Sequence, residues 1–90
     1  MLFMVVEHFK NGDAVPVYRR LREQGRLAPA TVNYISSWVT ADLTRCFQIM
    51  ESPAREMLDQ WLARWTDLVD FEVVPVITSA EAVAAVAPQL

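Results

Sequence analysis

The residues Trp61-Leu62-Ala63-Arg64-Trp65-Thr66-Asp67-Leu68-Val69-Asp70-Phe71-Glu72-Val73-Val74-Pro75-Val76 change character partway along. Apolar residues first recur at helical spacing and then give way to β-branched alternation, which fixes a helix-to-strand joint near Asp67. Once that joint is set, the other elements follow in order. A strand over Leu2–Phe9 ends at the turn residues Asn11-Gly12-Asp13. A helix then starts with Ala14, Val17, Tyr18 and Leu21 on one face and stops near Gly25. Strands over Val32–Thr40 and Leu43–Glu51 are joined through Thr40-Ala41-Asp42 as a hairpin. Pairing Val39 with Thr44 places Trp38 opposite Arg45, Ser36 opposite Phe47 and Tyr34 opposite Ile49, with Ile35, Cys46 and Met50 on the other face. Ser52-Pro53 reads as an N-cap and first-turn proline. The helix it opens buries Met57, Leu58, Trp61, Leu62, Trp65 and Leu68. A strand over Asp70–Thr78 and a short helix capped by Ser79 and stopped at Pro88 complete the chain.

Strand, helix, two strands, helix, strand in 90 residues is one α+β domain. Two right-handed crossovers around a hairpin give a four-stranded antiparallel sheet in spatial order 4-1-3-2, the ferredoxin-like βαββαβ arrangement. Both helices then cover one side of the sheet. The first strand, however, is apolar on both sides, with Met4 and Val6 against Phe3 and Val5, and the last sets Val73 against Val74. A second copy packed face to face through the sheets is the economical cover, which predicts a homodimer and a dimeric α+β barrel. The composition agrees: 53% hydrophobic residues are more than one small core hides.

The pattern Met4-Val5-Val6, Ser37-Trp38, Met50-Glu51 and above all Trp65 to Val76 resembles the bacterial family catalogued as domain of unknown function 3303. The resemblance spans nearly the whole chain and implies a dimeric α+β barrel, with no established activity attached. Barrels of this wider kind include cofactor-independent monooxygenases, small-molecule isomerases and decarboxylases, and ligand-binding modules. Fold likeness does not choose among them.

A net charge of −3 argues against nucleic acid as a partner, since phosphate contacts need clustered Lys and Arg. The basic run Arg19, Arg20, Arg22 and Arg26 reads as a solvated helix face. One cysteine, Cys46, allows no internal disulfide and suits a reducing compartment, so the expected location is cytoplasmic. Glu7 and His8 interrupt the apolar start, which therefore reads as a strand and not a signal peptide, and no stretch is long enough to span a membrane. Neither a metal-ligand cluster nor a cofactor motif is present.

In the 4-1-3-2 order, Glu7, His8, Trp38, Arg45, Asp70 and Glu72 gather at one edge of the sheet, beside the Trp65-Thr66-Asp67 joint. A polar and aromatic rim over an apolar interior is the form of a small-molecule pocket. His8, the lone histidine, is the candidate acid or base, against the alternative of a surface residue at a strand end. Glu72 is expected in a largely buried strand and is the second catalytic candidate, against a cross-strand ion pair. Glu7, Tyr18, Trp38, Arg45 and Trp65 are the candidate ligand-binding residues. For Arg45 and Trp38 the alternative is a simple cation–π pair, and for Trp61 and Trp65 it is core packing. Cys46 reads as a small buried hydrophobe, and Gln48, on the same face, as a buried polar residue in need of a partner, with a dimer interface as one candidate place for it. Two functions follow: a dimer binding a small, mostly apolar molecule between sheet and helices, with or without cofactor-free chemistry, or a non-enzymatic dimeric interaction module.

Overall fold

A computed structural model describes residues 1–90. The strands are β1 (Leu2–Phe9), β2 (Asn33–Val39), β3 (Arg45–Glu51) and β4 (Val69–Val76), and the helices are α1 (Val15–Gln24), α2 (Arg55–Leu62) and α3 (Ser79–Val86). The sheet is antiparallel in the order β2-β3-β1-β4, the ferredoxin-like order expected from the crossovers.

Alternation along β1 separates the two faces. Phe3, Val5, Glu7 and Phe9 are buried on the helix side, while Met4 and Val6 on the other side are half-buried and His8 is exposed. The core on the helix side joins Phe3 and Val5 with Met50 of β3, Leu58, Trp61 and Leu62 of α2, and Trp65. Each fully buried member of this size contributes about 1.5–3 kcal/mol. On the opposite face Met4, Val6, Phe47, Ile49 and Val74 form an apolar strip that no element of the chain covers, with Trp38 beside it at 63% exposure.

Several local details differ from the sequence expectation. The hairpin pairs Val39 with Cys46, two residues from the expected register, so Trp38 lies opposite Phe47. The cause is a longer loop: Asp42 Oδ1 accepts hydrogen bonds from the Thr40 and Thr44 hydroxyls and the Thr44 amide, and Leu43 takes φ 62°. A register shift between Tyr34 and Ser36 then leaves Ile35 unpaired and turns Tyr34 to the helix side, opposite Met50. Ser52 does not cap α2; it is buried and its hydroxyl donates to the Ala54 carbonyl at 2.7 Å. The α-helix stops at Leu62, yet tight turns bonded from Arg64 to Trp61 and from Trp65 to Leu62 keep Trp65 in the core. Thr78, one residue before the expected Ser79, caps α3 in a reciprocal box with Glu81. Nothing in α3 is buried, so it stands off the sheet as an arm carrying exposed Val83 and Val86.

Arg20 fastens α1 to the joint between α2 and β4. Its guanidinium donates to both Asp67 carboxylate oxygens, at 2.8 and 2.6 Å, and to the Arg64 carbonyl at 2.9 Å, and it lies over the Trp65 ring. The basic run is therefore divided. Arg20 is a structural clamp, and Arg26 sits in the wall of the cavity described next.

Candidate functional site

Between the sheet and the helices lies a cavity of about 80 Å³. Its floor follows from the strand pairings: Cys46, Glu7 and Phe71 stand in one row across the sheet, and Ser37 and Gln48 stand side by side in the next. Its roof is Val17, Tyr18 and Leu21 of α1 with Trp61 and Trp65. Most of these walls are apolar. The space suffices for several waters or a molecule of a few heavy atoms, and half-exposed Tyr18, Arg26 and Ser37 mark its mouth.

Glu7 is the polar centre. It occupies a β1 position whose equivalents two residues either way are Val5 and Phe9, and it is only 8% exposed. It takes part in none of the chain's four ion pairs. No side-chain oxygen or nitrogen is left fully enclosed without a partner, so the carboxyl oxygens reach the cavity space. Burial pushes the Glu7 carboxyl up to about 7, against a smaller opposing pull from the positive charge of Arg26. A group with that pKa passes readily between acid and base near neutral pH.

The neighbours set limits on the chemistry. Burial, reinforced by the charge of Glu7, pushes the Cys46 thiol up to about 12, so it stays protonated and is no nucleophile. Burial also raises the Tyr18 hydroxyl above its ordinary value and keeps it a neutral donor. Gln48 is buried and its amide donates to the Met50 sulfur at 3.2 Å. Arg26 follows Gly25 in the loop after α1, and its carbonyl accepts the indole N–H groups of Trp61 and Trp65 at 2.9 and 2.8 Å. The two tryptophans thus hold the loop against the cavity. No group of three or more His, Cys, Asp or Glu could hold a metal ion, and no helix is long and apolar enough to cross a membrane.

Of the residues expected at the site, Glu7, Tyr18 and Trp65 come together in this cavity. His8, Arg45, Glu72 and Trp38 share the same end of the sheet but lie on its open face, because alternate strand residues point to opposite sides. Glu72 is exposed and not buried, since β4 is an edge strand and its outer face is uncovered. Arg45 lies over Phe47, 5.6 Å from the ring centroid, and not over Trp38. Gln48 faces the cavity on the helix side and so lies away from the open face. Arg26, Ser37, Cys46 and Gln48 also line the cavity, without having been expected there. For Cys46 and Gln48 the signal was available, since both alternate in phase with Met50.

Fold and cavity define the class: a ferredoxin-like α+β domain with one titratable carboxyl enclosed between sheet and helices. The chain belongs to the family described as "Domain of unknown function (DUF3303)", whose model matches residues 1–90. No curated protein and no solved structure matches it.

Proposed function

We propose that the protein is a homodimeric α+β barrel that holds a small, largely apolar molecule in the cavity of each protomer, with Glu7 exchanging a proton with it and no cofactor taking part. The observation that carries this reading is Glu7 itself: a carboxyl at an otherwise apolar strand position, beside aromatic walls, with its oxygens open to the cavity and not to a protein partner. Desolvating such a group costs stability, and a site is the place where that cost has a use.

The bare strip of Met4, Val6, Phe47, Ile49 and Val74 supports the dimer, because a sheet apolar on both faces needs cover on both. In that dimer His8, Arg45, Asp70 and Glu72 meet the partner sheet, where polar pairing across the two-fold axis suits them better than work on the cavity ligand. The exposed arm α3 would clasp the neighbour. A reducing compartment such as the cytoplasm suits the single buried thiol of Cys46.

The small volume of the cavity favours one rival, a dimeric structural or interaction module without ligand. Native mass spectrometry of the protein as purified from cells separates the readings. Two chains plus a small additional mass, lost on Glu7→Leu or Trp65→Ala substitution, is the expected result. A dimer that never carries or accepts a small molecule would leave only the structural module, and a monomer would overturn the barrel.

A further inference from the structure

The cavity wall contains one cation, Arg26, which forms no ion pair and acts on the Glu7 carboxyl only through its charge. The four ion pairs join Lys10 to Asp70, Arg20 to Asp67, Arg22 to Glu23 and Arg55 to Asp59. Yet Arg26 is held in place. Its guanidinium carbon lies 3.7 Å from the centroid of the Tyr34 ring, and the Tyr34 hydroxyl is hydrogen bonded to Ser37 Oγ at 2.8 Å. Its backbone is fixed by the two indole donors on its carbonyl and by left-handed turns on either side, at Gly25 (φ 72°) and Leu27 (φ 63°). Stacking occupies the face of the guanidinium and leaves its N–H edge, the part that binds planar anions with two parallel hydrogen bonds.

From this we propose that the cavity ligand is a small monocarboxylate, its acid group on the N–H edge of Arg26 and its apolar body against Trp61, Trp65 and Phe71, facing Glu7. The inference rests on the cavity reading above and adds the ligand's chemical class. A half-buried arginine strengthens the pairing, because fewer waters compete for it. Glu7, whose burial favours its neutral form, tolerates a monoanion nearby and disfavours a dianion such as phosphate. The limited volume points to a short acid and not a long-chain one.

The two indole N–H groups bonded to the Arg26 carbonyl are built-in reporters, and Trp38 on the open face is the internal control. The test is a titration of 15N-labelled protein with butyrate, its neutral isostere butyramide and inorganic phosphate, followed at the three indole resonances. Butyrate is expected to move the Trp61 and Trp65 signals while Trp38 stays still, and to bind about tenfold or more tightly than butyramide. Arg26→Gln is expected to erase that difference while butyramide binding persists. Arg26→Lys, which keeps the charge but not the fork, should retain part of it. Equal affinity for butyrate and butyramide, or phosphate acting like butyrate, would overturn the carboxylate assignment and leave the cavity standing. No response to any probe would overturn the cavity reading together with this one.

Discussion

Replacing Glu7 by glutamine removes the charge from the cavity and keeps its shape, so the pH dependence of stability isolates what burial does to that carboxyl. The carboxyl ionises near 4.5 in the unfolded chain and near 7 in the folded one. Below 4.5 both states hold the proton and there is no penalty. Between the two values the unfolded state releases it first, so folding grows less favourable as pH rises, by about 1.4 kcal/mol per unit. Above 7 the loss levels off at about 3 kcal/mol, a large fraction of the roughly 5–13 kcal/mol available to a 90-residue domain. The assay is urea unfolding of wild type and Glu7→Gln at pH 5, 6, 7 and 8, at one fixed protein concentration because a dimer's stability depends on it. Other titrating groups are common to both proteins and cancel in the difference. Glu7→Gln should exceed wild type by a little under about 1 kcal/mol at pH 5 and by about 3 kcal/mol at pH 8. Parallel curves would refute the claim that Glu7 is desolvated in the folded protein.

Asp67, held below the ordinary carboxylate range by its hydrogen bonds from Arg20, gives the opposite sign. Its contribution is complete above the unfolded pKa and is lost as pH falls through the lower folded value, so Asp67→Asn should lower the melting temperature at pH 7 and flatten the acid-side decline. Trp61→Phe and Trp65→Phe should each cost about 1 kcal/mol for the lost indole hydrogen bond, plus a packing loss, in chemical denaturation. The double variant should cost more than the sum, because the Arg26 carbonyl then loses its last indole donor. Val6→Asp, on the open face, should yield a folded monomer by sedimentation with an unchanged far-ultraviolet spectrum, whereas a dimer surviving it would place the interface elsewhere.

The sheet order was legible because it follows from element order and crossover handedness, and the change of rhythm near Asp67 marks where β4 begins, at Val69. The cavity was legible only in part. Reading Glu7 as part of an edge cluster with His8 and Glu72 overlooked its phase with Phe3, Val5 and Phe9, the alternation that buries it. The hairpin register depended on how Asp42 closes its loop, and the face of Tyr34 on a bulge at Ile35; no local pattern of apolar residues encodes either. Arg26 was hidden for a related reason. The residues that make it a wall of the cavity, Tyr34, Trp61 and Trp65, reach it from β2 and from the α2 end, and helical spacing in α1 assigns it only to a charged surface.

The most direct test of the account is a titration of the glutamate side-chain carboxyl carbons by 13C NMR, with the Glu7 signal assigned by its absence from Glu7→Gln. A Glu7 resonance with a midpoint near 7 is the result predicted here. A midpoint in the ordinary carboxylate range would show the carboxyl to be well solvated and would remove the basis for a proton-exchanging site between sheet and helices.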